Sequence, residues 1–288
     1  MEFKRTYKMA LDPPPSIRWE DYKPVILEEW FRLINIKNLQ ESTYQQFFEE
    51  NPCMLPGAHG LLFVSGHYPH YASVISQPVL PGFDARYPDF MWISTCSDAI
   101  YPVLIEIEKP SKKWFTSRGF QSADLTQALT QITEWKTWFD NPTNIQQFRE
   151  LYLVNDPFER RKKLIPLYVL IYGRRKEANR FQDKRANLRR NKEYLMTYDR
   201  LAPQQDQSNY LCIKIRKEGL IVINVPPTLR LGPSVAQEWK CLLNFDESIK
   251  KNKFINQERK YFLIERMAYW KKWAENDKKG IISSGDWE

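Results

Sequence analysis

Hydrophobic positions along the chain change period several times, and the changes divide it into helices and strands. From Trp19 to Ile36, Val25, Ile26, Trp30, Leu33 and Ile34 recur at helical spacing, with Pro24 tolerable near the start. A second helix is predicted from about Ser42, a candidate N-cap, through Tyr44, Phe47 and Phe48 to the stop at Asn51-Pro52. Short apolar or alternating runs over Leu61 to Val64, Val74 to Leu80, Asp89 to Ile93 and Tyr101 to Glu108 then read as strands. The stripe Leu125, Leu129, Ile132, Trp135, Trp138 and Phe139 predicts a helix over Ser122 to Phe139, with Gln127 and Gln131 beside it. A shorter helix near Ile145 to Leu151 precedes the apolar strand Ile165 to Tyr172, which Gly173 ends. A basic helix from Glu177 to Arg190 leads into a strand over Tyr194 to Tyr198. This order describes an α/β fold with a mixed central sheet flanked by helices. Beyond it, Tyr210 to Ile215 and Leu220 to Val225 read as a hairpin about Gly219, and a long helix from Asp246 to Asn276 caps the core or joins subunits.

With 288 residues, 42% of them hydrophobic and 14% aromatic, the chain can bury a substantial core and is not disordered. Pro13-Pro14-Pro15 is a stiff spacer after an N-terminal arm. No apolar run approaches the roughly 18 residues that span a bilayer, and no apolar signal segment follows Met1, so a cytoplasmic protein is expected. The four cysteines are scattered, which indicates neither a zinc ribbon nor a disulfide framework.

The net charge of +8 is unevenly placed. Residues 160–192 hold thirteen Lys or Arg against Glu177 and Asp183, a local excess of +11. Such a field suits a phosphate backbone, although a solvated basic helix has the same composition. The expected nucleic-acid contacts are Arg174, Arg175, Lys176, Arg180, Lys184, Arg185, Arg189 and Arg190.

Opposite charge is concentrated elsewhere. In a strand over Leu104 to Glu108, Glu106 and Glu108 share one face with Leu104 while Ile105 and Ile107 take the other. With Asp89 on a preceding strand or turn, three carboxylates can meet at a sheet end, an oxygen-rich setting that suits Mg²⁺ or Mn²⁺ and phosphodiester hydrolysis. Against this stands the common case of a Glu-x-Glu on a solvated strand face. Competing chemistry is weak. His59, His67 and His70 with Cys53 lack metal-site spacing, and no Gly-x-Ser-x-Gly elbow, Walker loop or Gly-x-Gly-x-x-Gly is present.

The order Tyr44-Gln45-Gln46-Phe47-Phe48-Glu49-Glu50-Asn51-Pro52, Pro88-Asp89-Phe90, Glu106-Ile107-Glu108-Lys109-Pro110 and Gln131-Ile132-Thr133-Glu134-Trp135 resembles the Shedu anti-phage nucleases. Leu170-Ile171-Tyr172-Gly173-Arg174-Arg175 and Thr197-Tyr198-Asp199-Arg200-Leu201 extend the resemblance downstream, over about residues 40–202. It implies a restriction-endonuclease-like core at 40–202, after an arm and helix at 1–39 and before a C-terminal hairpin and long helix at 203–288. It further implies a Mg²⁺- or Mn²⁺-dependent DNA endonuclease or nickase acting on phage or other foreign double-stranded DNA as a homo-oligomer, a homotetramer being the form Shedu proteins take. Carried over, Asp89 and Glu106 are metal carboxylates, Glu49 an auxiliary acid with Glu50 as the alternative, and Gln131 the helix residue reaching the site. Trp135 takes an aromatic position usually held by Tyr. The family's lysine slot, two residues after the strand acid, holds Glu108, and Lys109 stands one position beyond it. On a regular strand Lys109 points away from Glu106 unless a bulge turns it back. Glu108 is then a general base, a second-metal ligand, or the mark of a weakened site that binds DNA without cutting it.

Overall fold

The alternation over residues 90–107 takes the form of two long antiparallel strands, and the rest of the sheet grows outward from them. The computed structural model describes residues 4–61, 64–82, 85–152, 159–276 and 280–288. In chain order come α1 (Trp19–Asn35), α2 (Glu41–Glu50), β1 (Tyr68–Pro69), β2 (Ser73–Ser76), β3 (Phe90–Thr95) and β4 (Ala99–Ile107). There follow α3 (Ala123–Asp140), α4 (Pro142–Tyr152), β5 (Lys163–Leu164), β6 (Leu167–Ile171), α5 (Arg175–Asn179), α6 (Gln182–Ala186) and β7 (Glu193–Met196). The last third holds β8 (Leu211–Arg216), β9 (Gly219–Asn224), α7 (Pro233–Trp239), β10 (Leu242–Leu243), α8 (Phe245–Lys251) and α9 (Gln257–Glu275).

Among the described residues the strands form one mixed sheet in the order β10-β9-β8-β2-β3-β4-β6-β7, with β1 on β3 and β5 on β4. β4, β6 and β7 run parallel, so their C-terminal ends share one edge of the sheet. The two sheet faces carry separate cores. Ile105, Ile107, Val169 and Ile171 pack with α1 and α2, whereas Leu104, Leu170 and Met91 pack with α3 and the C-terminal helices. This is the period-two division expected of β4. Because β8 pairs with β2, residues of the last third extend the same sheet.

Several elements differ from their sequence reading. The basic helix is two short helices, since Phe181 leaves helical geometry and sets its ring against Phe115 at 5.3 Å. The long C-terminal helix is likewise divided into α8 and α9. Between them Asn252 accepts from the Phe254 N–H and donates to the Val225 carbonyl, and Asn256 caps α9 by accepting from the Arg259 N–H. β2 stops at Ser76 because Gln77 has a φ of 48°. α2 starts at Glu41, so Ser42 is not its cap, whereas Ser122 does cap α3. The strand expected over Leu61 to Val64 includes residues outside those described. The N-terminal arm is docked, with Tyr7 against Trp270 and Trp273 at 5.5 and 5.6 Å.

One half-buried acid is expected to make stability depend on pH. Glu238 on α7 lies beside Tyr68, His70 and the Tyr71-Ala72 turn, and burial pushes its carboxyl up to about 7 despite those favourable neighbours. A carboxyl whose folded pKa is raised loses its stability contribution as pH climbs from the ordinary range through that value. Glu238→Gln should therefore melt above wild type at pH 8 and together with it at pH 4.5, as read by thermal denaturation.

Candidate active site

The C-terminal end of β4 brings the acids together. Glu106 and Glu108 retain only 7% and 6% of their exposure, although they project from a strand end rather than from the centre of the sheet. The Glu108 N–H bonds the Ile171 carbonyl at 2.9 Å, which continues the ladder past the last strand residue and keeps both side chains on one face. Asp89, immediately before β3, is fixed by accepting the Ile107 N–H at 2.8 Å. That bond spans the β3–β4 pair and places the aspartate between the two glutamates in register.

Burial and crowding shift two of these acids, Asp89 and Glu106. Burial first, then the charges of Glu41 and Glu108, raise Asp89, with the Ile107 N–H opposing. Burial, then Asp89, Glu108 and Glu41, raise Glu106 well above the ordinary carboxylate range, while a hydrogen bond from Gln131 opposes the rise. Gln131, half-buried on α3, thus reaches Glu106. Trp135, one turn further, is core at 2% exposure.

The early helix contributes a different acid from the one expected. Glu49 accepts from Ser76 Oγ at 2.5 Å and pairs with Lys214 at 3.4 Å, over β2 and β8. Glu50 is exposed and accepts from Gln46 at 2.8 Å. Glu41, two turns before Glu49 and hence about 12 Å along the axis, is the α2 acid whose charge acts on Asp89, Glu106 and Glu108. No motif marks it, because a glutamate at a helix start is ordinary N-terminal chemistry.

The lysines also divide unexpectedly. Lys109 turns outward and donates to Gln40 at 3.3 Å, as a regular strand requires. Lys112, in the turn that follows, places its ammonium on the Glu108 carboxylate. The donor set of Asp89, Glu106, Glu108 and Glu41 is all oxygen, and Glu106 Oε2 is buried without a hydrogen-bond partner, which is the chemistry a hard divalent cation takes. Among the described residues, however, no three His, Cys, Asp or Glu side chains are arranged to hold a metal ion as they stand. The histidines are dispersed: His59 bonds Tyr210 at 2.6 Å and His70 pairs with Glu159 at 3.3 Å.

Arginines gather beside this edge. A groove of about 800 Å³ runs along β7 and is lined by Arg175, Arg185, Arg189, Arg190 and Arg200, with Glu193 as its acid. Glu193 is already paired with Lys136. Arg189, Arg190 and Arg200 are exposed, and Arg200 lies outside the basic segment that charge alone picks out. Arg174 is committed to structure, with its guanidinium 2.9 Å from Asp199 and a further bond to the Ile34 carbonyl at the end of α1. Lys184 donates to the Gly119 carbonyl at 2.7 Å, and Arg185 lies over the Trp114 ring at 4.9 Å. Lys176 and Arg180 are exposed, the latter beside Phe181 at 5.4 Å.

Among the described residues no helix is long and apolar enough to cross a membrane. No curated protein matches the chain. Residues 38–202 match the family described as Shedu protein SduA, C-terminal, a span that includes α2, the acid cluster, Gln131, the arginine groove and the Thr197-Tyr198-Asp199 segment. That match covers more than half of the chain, which therefore belongs to the Shedu family.

Proposed function

We propose that this chain is a Mg²⁺- or Mn²⁺-dependent DNA endonuclease or nickase acting in anti-phage defence. The observation that carries the reading is the convergence of Asp89, Glu106 and Glu108 at one sheet end, with Gln131 on Glu106 and one Glu106 oxygen unpartnered. Family membership supports the defence role. Asp89 and Glu106 would hold the cation, with Glu108 beside them. When bound, such an ion neutralises phosphate charge and acidifies water. Gln131 orients the Glu106 carboxylate, and the Ile107 N–H holds Asp89 against rotation. Glu108 is placed to accept a proton from an attacking water.

The arginine groove supplies the phosphate contacts. β7 lies two strands from β4, about 10 Å at the usual strand spacing, so a strand of DNA seated along the groove passes the acid cluster within a few nucleotides. Such contacts position the nucleic acid without reading its sequence. A homo-oligomer, in the tetrameric form implied by the family resemblance, belongs to this reading as well. Two observations favour a second reading, a DNA-binding protein that does not cut: the lysine slot holds Glu108, and among the described residues no three-ligand group is assembled as the side chains stand.

Incubating supercoiled plasmid with the protein and Mg²⁺ or Mn²⁺ separates the two, since the first reading expects nicked or linear product and the second a retarded but intact plasmid. On the first, Asp89→Ala and Glu106→Ala each abolish cutting, and Glu108→Gln loses most of it. In chelator, Asp89→Asn and Glu106→Gln should melt above wild type because each removes repulsion, and Mn²⁺ should raise the melting temperature of wild type alone. For the groove, Arg175→Ala, Arg189→Ala and Arg190→Ala combined should weaken binding to unrelated duplexes alike. The log K against log salt slope should flatten by about one unit for each arginine–phosphate pair removed. An unchanged slope would move the DNA surface elsewhere.

A further inference from the structure

The slot in which the family carries lysine holds Glu108, and an ammonium rests on that glutamate's carboxylate. It comes from the turn after β4. The Lys112 N–H closes that turn on the Lys109 carbonyl at 3.1 Å, and the Tyr172 hydroxyl holds it from the neighbouring strand through the Lys113 carbonyl at 3.1 Å. Gly173 makes room for it. With a φ of 55°, a Cβ at Gly173 would fall 2.7 Å from the Lys112 carbonyl oxygen and 2.8 Å from Trp114 Nε1, so only glycine lets the turn lie this close to the end of β6. Held there, Lys112 keeps 24% of its side-chain exposure and rests its ammonium on a Glu108 carboxylate that keeps 8%. Glu41, Glu108 and Asp124 are the acids that act on it. Lys109, the nearer lysine in sequence, faces Gln40 instead.

We propose that Lys112 supplies the site's ammonium from outside the strand, acting as a positioning residue through Glu108. Glu108 and Lys112 together replace the single lysine side chain. The carboxylate occupies the strand position, and the ammonium behind it sets its rotamer and cancels its charge. A neutral pair in that slot leaves Asp89, Glu106 and Glu41 as the acids offered to a divalent cation, whereas an unpaired Glu108 would add a fourth negative charge. This inference rests on the nuclease reading for its consequence in cutting, but not for its consequence in metal binding.

Wild type, Lys112→Ala, Lys112→Arg and Lys109→Ala test it, with melting temperature as the control for folding. Titration calorimetry with MnCl₂ alone reads the acid cluster without DNA, and plasmid nicking in Mn²⁺ reads the reaction. Lys112→Ala should bind Mn²⁺ about tenfold more tightly, having lost a counter-charge, while nicking about 100-fold more slowly. Lys112→Arg should return Mn²⁺ affinity to the wild-type value, and Lys109→Ala should match wild type in both measurements. If Lys112→Ala melts low, Lys112→Met keeps the stem and is measured in its place. Unchanged or weaker Mn²⁺ binding on removing the ammonium overturns the inference, as does a loss of nicking on Lys109→Ala alone. A wild type that binds Mn²⁺ and leaves plasmid intact sinks the nuclease reading, while the Mn²⁺ comparison still decides the role of Lys112.

Discussion

Mutual repulsion among carboxylates at the end of an apolar sheet is the constraint around which the molecule is arranged. Burial raises Asp89, Glu106 and Glu41, and the charges of these acids on one another, with that of Glu108, add to the cost of keeping them ionised. A chain left to relax would turn these side chains outward. Here the backbone prevents it. The Ile107 N–H holds Asp89, the strand ladder extends through Glu108, and Gln131 reaches across from α3. The aromatic packing beneath has the same effect, with Trp30 stacked on Tyr198 at 5.5 Å and Phe48 against Phe90 at 6.1 Å, which fixes α1 and α2 against the strands that carry the acids.

The strands of this core were legible because alternation in β4 and continuous apolarity in β6 are set by the two faces of one sheet, and no tertiary contact overrides them. The shared face of Glu106 and Glu108 was legible for the same reason, since both sit two residues apart at the end of one strand, whereas Gln131 was picked out by the family resemblance. What escaped lies where elements end. Glu41 looks like any first-turn acid, and Lys112 stands in a turn whose course depends on Gly173, far downstream at the end of a different strand. Phe181 and the Asn252 to Asn256 stretch divide helices that charge and periodicity alone would continue, because an aromatic ring and two asparagine side chains find better partners off the helix axis.

The basic segment shows the limit of charge counting. Its thirteen cations are alike in sequence but not in the fold. Arg174 ties α1 to the segment after β7 through Asp199, and Lys184 secures the Gly119 loop, so both belong to the scaffold. Arg189 and Arg190 stay open, and Arg200 joins them from beyond the segment. Local excess therefore does not separate the side chains that tie the scaffold together, such as Arg174 and Arg185, from those left exposed, such as Arg189 and Arg190.

The same arginines bear on the exposed border of the sheet. Among the described residues β7 is its last strand on this side, and a terminal strand offers unpaired backbone groups that another strand can join. Along this one, Arg185 already donates to the Leu195 carbonyl, and four further guanidinium groups line the groove. Two molecules approaching edge to edge would bring these groups against each other, so like charge works against pairing of strands at this border. A polyanion lying in the groove would cancel that charge, and the barrier to self-association would then fall only while the groove is filled.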